Sequence, residues 1–377
     1  MDTICTVTAT VALGAVIALL RLAFLSGAST LCEFILVLAA WRHGYTNIVW
    51  TRDPDVAKRV IMASKRKPIE VERSLQRWAP LMAMEMEDAP MRDAMHANLN
   101  KIIRTLAPLP KLYDVFQTKA VACLSAGRVI TADVSVEIIV ASFYEWLFER
   151  PFNLNDLPIL QDGTMAFRLA LSLQKLDQTV VNQRHAVVSW FLREVQSCDK
   201  LYSLFQDDWV KPEIYSLVIQ PFFVTPAINV VQIGLGVCNI WRSGLSSSSI
   251  SDKNQSTAWA IEQAIDKEHP FPSIERYMEH GLPECGIAKD TLVFIDMSKM
   301  QMNETLRFGV GPRRCPGRAM AMLAMEGFFC KQVLDSPLFQ PHKGYSGSII
   351  HPALTFEPLR VKCYVISKLM YELVASV

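Results

Sequence analysis

The chain has 377 residues, enough to bury a large hydrophobic core, and its length fits one large domain or two or three ordinary ones. Its 38 basic residues balance 37 acidic ones, so we expect no nucleic-acid partner, and the overall charge gives no argument for an acidic one. Hydrophobic residues make up 51% of the sequence, which is high for a soluble protein and predicts a membrane segment.

The N-terminus carries that predicted membrane segment. Residues 3–20 have no charge, and after Arg21 the chain stays uncharged as far as Cys32. A run of about 20 apolar residues spans a bilayer, whereas a cleaved signal peptide, the alternative, needs a basic start that Asp2 does not provide. Because basic residues follow the run, we expect residues 1–41 to be a single-pass anchor in the endoplasmic reticulum membrane, with the main body facing the cytoplasm.

After the anchor, the spacing of apolar residues predicts mostly helices. Residues 47–62 predict a short strand, an Asp-Pro turn and a helix. Helical periodicity follows at 94–106, 134–148, 165–195, 224–241, 257–268 and 317–334, and strand patterns at 292–295, 348–356 and 359–366. The serine-rich stretch 243–256 predicts a surface loop. We therefore expect a mostly α fold with small β-sheets (α+β), forming one domain over residues 42–377.

The nine cysteines have no paired spacing such as C-x-x-C, which is typical of reduced cysteines in a protein that faces the cytosol. The histidines have no metal-ligand spacing with one another. The sequence also contains neither a phosphate-binding loop nor a Ser-His-Asp pattern, so nucleotide hydrolysis and simple ester hydrolysis are excluded.

One short loop carries most of the chemical information. The ten residues from Phe308 to Gly317, FGVGPRRCPG, have the pattern F-x-x-G-x-R-x-C-x-G and stand directly before an apolar helical stretch. The thiol of Cys315 is expected just before a helix N-terminus and beside Arg313 and Arg314, where the helix dipole and the cations favour a thiolate. The glycines allow the backbone to turn tightly and to approach a flat ligand. These properties suit a cysteine that donates charge to a metal.

This loop resembles the cysteine loop of the haem-thiolate monooxygenases, the cytochrome P-450 superfamily, and other parts of the chain are similar to fungal members of secondary metabolism. The resemblance implies a shortened cytochrome P-450-like fold that holds haem b through an axial thiolate from Cys315. It implies that Arg313 bonds to a haem propionate, that Phe308 packs beside the sulfur, and that Gly311 and Gly317 shape the backbone. A buried structural cysteine and a solvated loop arginine are the alternatives for Cys315 and Arg313.

The activity implied by the resemblance is oxidation of a lipophilic small molecule, such as a terpenoid or polyketide. The partners implied with it are O2, an NADPH-dependent reductase as electron donor, and a membrane.

Several family motifs depart from the pattern in this chain. Aligned on His269-Pro270, the family's Glu-x-x-Arg ion pair is replaced by Ala264 and Lys267, and lysine lacks the planar fork of arginine. The string Glu304-Thr-Leu-Arg307 spells the motif, but it lies too close to Cys315 to be on the same helix, and we interpret it as coincidence or as a scar of lost coding sequence.

The proton-delivery and propionate motifs are also altered. The family's acid–alcohol pair is best matched by Gly236-Val-Cys238-Asn239, where a thiol and an amide take the two places. Arg92 and His96 stand where the family has a tryptophan and an arginine that hold a haem propionate. The family also has a long irregular segment between the positions of Asn303 and Phe308, and almost nothing of it remains in this chain. Two alternatives therefore stay open. One is a degenerate P-450-like protein with a non-redox (cyclisation or rearrangement) or ligand-binding role, and the other is an incomplete gene model.

Overall fold

The computed structural model describes residues 37, 40–41, 44–64, 91–106, 108–164, 178–246, 256–267, 273–297, 300, 306–311 and 314–341. The predicted anchor up to residue 36 and the predicted strands at 348–356 and 359–366 lie outside these residues.

The chain folds into two compact units. One, the sheet unit, comprises Met1–Glu70, Phe271–Arg313 and Pro358–Val377, and the other, the helical unit, comprises Val71–Pro270 and Arg314–Glu357. The expectation of one domain over residues 42–377 stays a prediction.

The sheet unit is built on three strands, β1 (Asn47–Thr51), β2 (Ser273–Met278) and β3 (Thr291–Asp296). They lie in the order β1-β3-β2, with β1 parallel and β2 antiparallel to β3. Every residue of β3 is buried, because the sheet carries a hydrophobic cluster on each face. On one of these faces the ring of Trp50 stacks on that of Phe294, with centroids 4.7 Å apart.

Helix α1 (Pro54–Ala63) follows β1 and packs on the other face of the sheet. Its start is determined locally, since the carboxylate of Asp53 accepts hydrogen bonds from the N–H groups of Asp55 (2.8 Å) and Val56 (3.2 Å). Pro54 occupies the first turn, where no N–H is needed. The helix buries Ala57, Val60 and Ile61 in one cluster with Val293 and Ile295.

Besides a helical segment at residues 157–164, the helical unit contains ten described α-helices. They are α2 (Met91–Thr105), α3 (Leu109–Ser125), α4 (Ala132–Phe148), α5 (Gln178–Gln196), α6 (Asp199–Phe205), α7 (Pro212–Val218), α8 (Thr225–Ser246), α9 (Thr257–Lys267), α10 (Arg318–Phe328) and α11 (Lys331–Leu334). A π-helical turn, Ile219–Val224, joins α7 to α8. Most residues of α4 are buried, as expected for a helix that is hydrophobic on all sides.

Helices α3 and α10 pack very closely at Gly327. A Cβ atom built on Gly327 lies 2.5 Å from the carbonyl oxygen of Tyr113 and 2.9 Å from the Cβ of Phe116. The missing side chain is therefore what allows the two backbones to approach, and this contact holds the helix that follows the cysteine loop.

One helical stretch in the described part of the chain, Pro212–Gly244, passes the length and composition test for a membrane span, with a mean hydropathy of 1.6 in its most apolar window. Inside the protein, 71% of that window is buried, as is typical of a core helix, so this stretch is weak evidence for a span.

The structure confirms the predicted strand and helix at 47–62, the strand at 292–295 and the helices at 94–106, 134–148, 224–241 and 257–268 to within a few residues. Two predictions need correction. The helix predicted at 317–334 is broken, because Cys330 is extended (φ −59°, ψ 160°) and starts the separate helix α11. The loop predicted at 243–256 begins later, since α8 continues to Ser246. The helix predicted at 165–195 is described only from residue 178, where α5 begins.

Candidate functional site

The candidate site is the cysteine loop, and its downstream half belongs to the helical unit. Cys315 is exposed and lies in the turn before α10, whose first residue is Arg318. Gly317 is the N-cap, and its carbonyl accepts the N–H of Ala321 at 2.7 Å. A Cβ built on Gly317 lies 3.9 Å from the Sγ of Cys315, so the sulfur lies beside the helix N-terminus. The positive end of the helix dipole favours a thiolate at this place.

The upstream half of the loop belongs to the sheet unit. Leu306 is fully buried in the cluster beneath α1, and Phe308 is half-buried. The chain then turns, with the N–H of Gly309 donating to the carbonyl of Leu306 at 3.0 Å. Gly309 (φ +72°) and Gly311 (φ +67°) both have left-handed backbone, which other residues adopt only with strain. Of the two glycines in the pattern, Gly311 is therefore favoured by the turn itself, whereas Gly317 has an ordinary negative φ of −86°.

Two predicted contacts of the loop stay predictions. Arg313 lies outside the described residues, so its bond to a propionate is untested. Phe308 and Cys315 belong to different units, and the packing of the ring beside the sulfur likewise stays a prediction.

The donor set fits a haem better than an isolated metal ion. In the residues that the structure describes, no group of three or more His, Cys, Asp or Glu side chains is placed to hold a metal. A haem macrocycle supplies four nitrogen ligands and needs only one axial side chain from the protein. A single exposed thiol at a helix N-terminus suits this requirement, and the assignment of Cys315 as the ligand stays a prediction.

The loss of the family's Glu-x-x-Arg brace stays a prediction, and the structure describes the two positions that were aligned with it. Ala264 is completely buried in α9, and Lys267, in the last turn of the same helix, is exposed. Arg307, from the coincidental string, is buried in the sheet unit, while Glu304 lies outside the described residues.

The positions assigned from sequence to the acid–alcohol pair do not share one environment. Cys238 is buried and lines a groove together with Asp335 and Pro341, whereas Asn239 is exposed. Burial raises the pKa of the Cys238 thiol, with nearby Arg242 acting in the opposite direction. A neutral thiol and an exposed amide form no proton relay, and this pairing therefore loses its support.

The long helical stretch is instead distorted at the π-helical turn Ile219–Val224. Pro221 has no N–H to donate, and the N–H of Thr225 bonds to the carbonyl of Gln220, five residues back. Such widened turns are frequent at functional sites. Thr225 is half-buried and brings a hydroxyl to the end of this turn. The sequence analysis missed it, although Pro221 and Pro226 within an apolar helical pattern were a signal of distortion.

The candidates for a propionate contact lie on α2. The side chain of His96 is half-buried, and that of Arg92 lies outside the described part. Further along the same helix, Lys101 and Arg104 line a groove of about 430 Å³. The ammonium of Lys101 donates to the carbonyl of Leu204 at 2.6 Å and lies 4.6 Å from the ring centroid of Phe205.

Comparison by sequence finds no match: no protein-family model and no curated protein matches this chain. Comparison by structure finds cytochromes P-450. A six-coordinated cytochrome P-450 from Thermus thermophilus matches with a TM-score of 0.54 and 15% identity, over 79% of this chain and 90% of that one. An unusual cytochrome P-450-like monooxygenase involved in microbial secondary metabolism matches with a TM-score of 0.55 and 12% identity, over 78% and 88%.

A third match is a cytochrome P-450 solved in complex with an acyl carrier protein that bears hexadec-9Z-enoic acid. Its TM-score is 0.57 at 10% identity, over 75% of this chain and 84% of that one. Likeness at such low identity shows the fold, and the chain has the mostly helical fold of the cytochromes P-450 that the cysteine loop predicts.

Proposed function

We propose, from the cytochrome P-450 fold, that this chain is a haem-thiolate monooxygenase in which Cys315 is the axial ligand of haem b. The observation that carries the proposal is the exposed Cys315 thiol in the turn before α10. A bound haem supplies the O2 activation and the oxygen insertion, and the protein supplies the ligand, its orientation and its electrostatic surroundings.

Each part of the loop has a role in this proposal. Cys315 donates the thiolate, and the N-terminus of α10 stabilises its negative charge. Gly309 and Gly311 turn the chain without side chains that would keep a flat ring away. Arg313 pairs with a propionate, and Phe308 shields the sulfur from water.

The proposed substrate is a lipophilic small molecule of secondary metabolism, a terpenoid or polyketide. The likeness to a P-450-like monooxygenase of microbial secondary metabolism supports this class. We further propose that electrons come from an NADPH-dependent reductase, and the basic groove formed by Lys101 and Arg104 on α2 supports an acidic partner surface. The uncharged residues 3–20 support the proposed membrane anchor.

The test is the carbon monoxide difference spectrum of the reduced protein. We expect a Soret band at the red-shifted position of thiolate ligation in the wild type and its loss in Cys315→Ala. Cys198→Ala is the matched control, because Cys198 is partly exposed and its side chain makes no capping hydrogen bond at α6. An unchanged band in Cys315→Ala, or folded protein that takes up no haem, contradicts the proposal.

A second function is favoured by the alanine at the brace position. With Ala264 buried and Lys267 exposed, the two aligned positions cannot form the family's Glu–Arg pair, and a haem held without that brace suits a non-redox rearrangement or ligand binding. The two functions separate when protein with a full carbon monoxide band receives a reductase, NADPH and a panel of terpenoids and polyketides. Oxidised product supports the monooxygenase, and isomerised product without NADPH consumption supports the second function.

A further inference from the structure

Met62, in the last turn of α1, places an exposed thioether against the cysteine loop. It is 50% exposed, whereas Met278 (3%) and Met297 (0%) of the same unit are buried. A Cβ atom built on Gly311 lies 2.7 Å from the Sδ of Met62 and 3.7 Å from its Cγ. The sulfur therefore occupies the space in which a side chain at position 311 would begin, and it is open to reagents from the solvent.

The turn at residues 306–311 packs on the same helix. Leu306 is completely buried in one cluster with Val60 of α1, and Val310 packs against this cluster. The backbone of the turn has a hydrogen bond from the N–H of Gly309 to the carbonyl of Leu306 at 3.0 Å. At its far end, Gly311 has a left-handed backbone (φ +67°) and meets α1 through the side chain of Met62. A chemical change at this thioether therefore acts directly on the end of the turn.

We propose that Met62 is a site of reversible oxidation to methionine sulfoxide, and that this oxidation opens the turn at residues 306–311. The oxidant is a peroxide, which transfers one oxygen atom to Sδ. An S–O bond forms while the O–O bond of the peroxide breaks, and hydrogen peroxide leaves as water. The thioether loses two electrons and the peroxide gains them, so the step is balanced without a metal.

Oxidation changes the surface that α1 presents to Gly311. A thioether is apolar and polarizable, whereas a sulfoxide is polar and carries an additional oxygen atom. Because Sδ already fills the space beside Gly311, the oxidised side chain must either turn toward water or push the turn away from α1. Both movements remove the contact between Met62 and Gly311. The contact lies within the sheet unit, so its loss is expected whether or not the proposed haem is bound.

The rate of oxidation tests the modification site. Full-length protein is treated with hydrogen peroxide, and each methionine is followed by peptide mass spectrometry. We expect Met62 to be oxidised about tenfold faster than Met278 or Met297, because those two are buried. Methionine sulfoxide reductases with dithiothreitol should then restore Met62. Oxidation of Met62 at the rate of the buried methionines, or a product that resists the reductases, overturns the proposal.

Hydrogen–deuterium exchange of the peptide that spans residues 306–311 tests the effect on the turn. We expect peroxide to raise its exchange rate about threefold in the wild type, since opening of the turn exposes the amide of Gly309. Met62→Leu is the matched control, because it keeps an apolar side chain that takes up no oxygen and leaves the exposed thiol of Cys315 open to the same oxidant.

In Met62→Leu we expect the exchange rate of this peptide to stay the same with and without peroxide. An unchanged rate in the oxidised wild type overturns the proposal, because the contact with Met62 then does not hold the turn. An equal increase in Met62→Leu also overturns it, since the oxidation that matters then lies elsewhere.

Discussion

Gly327 lies in α10, the helix that follows the proposed haem ligand, and its lack of a side chain allows α10 to pack closely on α3. A Cβ atom at Gly327 would lie 2.5 Å from the Tyr113 carbonyl oxygen, which belongs to the backbone of α3. Backbone atoms move aside less easily than the end of a side chain. A methyl group there must separate α10 from α3, and α10 carries the N-terminus that faces Cys315.

We therefore expect Gly327→Ala to lower the free energy of unfolding by about 1–3 kcal/mol, the usual cost of overpacking. Gly244→Ala is the matched control, since nothing lies within 4 Å of its Cβ position in α8, and it should gain about 0.5–1 kcal/mol from higher helix propensity. Urea unfolding of both variants measures the difference. Equal effects of the two substitutions would show that the α3–α10 contact is not tight.

Tyr144 gives the protein a predictable response to alkaline pH. Its buried hydroxyl donates to the carboxylate of Glu194 and accepts the Nε–H of Arg150 at 2.8 Å. Burial, followed by the bond to Glu194, raises the pKa of Tyr144 well above its usual value, with Arg150 acting against this.

Above about pH 10, the unfolded chain releases a tyrosine proton that the folded protein keeps. The stability that Tyr144 contributes is therefore complete below this pH and decreases as the pH rises. We expect Tyr144→Phe to be less stable at neutral pH but to lose less stability between about pH 9 and 11. Because burial also raises the pKa of Tyr215, the slope should be reduced without vanishing. Parallel stability curves for the two proteins would contradict this assignment.

At the scale of the elements, the π-helical turn between α7 and α8 is the place where the long helix departs from regularity. Pro221 has no N–H and therefore removes one backbone hydrogen bond of the helix. The hydroxyl of Thr225 lies at the residue that follows the turn. If this turn orders water for proton delivery, its hydroxyl contributes to turnover and not to haem binding.

We expect Thr225→Val to keep the carbon monoxide band but to lower product formation at least tenfold, since acid–base catalysis contributes about 10²–10⁴-fold. Asn239→Ala should change turnover by less than twofold, because Asn239 is exposed on α8. Product yield per NADPH consumed is the measurement. A larger effect at Asn239 than at Thr225 would restore the assignment made from the sequence.

The elements also show what the sequence could predict. Long apolar stretches such as α4 and α8 were predictable, because runs of 17 and 22 residues are too long for strands. The cysteine loop was predictable as well, since a positive φ at Gly309 and Gly311 leaves glycine as the favoured residue. These features depend on local geometry alone.

Other features depend on distant partners and could not be predicted in this way. Strand β2 was missed because its ladder is made with β3, after an intervening turn. The break at Cys330 was missed because the apolar pattern continues across it into α11. The place of the acid–alcohol pair stays a prediction, since Cys238 and Asn239 were only the nearest match to the motif and the distorted turn lies elsewhere on the helical stretch.

For the whole molecule, the predicted membrane anchor has a consequence that a cell extract can test. We expect the full chain to stay with membranes after carbonate extraction, because residues 3–20 carry no charge. Deletion of residues 2–36 should move the protein to the supernatant with its carbon monoxide band intact, since it keeps Val37 and Ala40, which are buried in the hydrophobic cluster with Trp50 and Phe294. A full chain that is extracted by carbonate would contradict the predicted anchor.

The parallel pairing of β1 with β3 also constrains when the sheet unit can form. Arg52 at the end of β1 pairs with Asp296 at the end of β3, and 244 positions separate them along the chain. A ribosome adding about 5–20 residues per second needs about 12–50 s to cover that distance. Throughout this interval β1 lacks its partner β3 and can pair with other strands. We therefore expect β1 to depend on a chaperone, or on fast synthesis, to avoid wrong pairing more than the helices of the chain do.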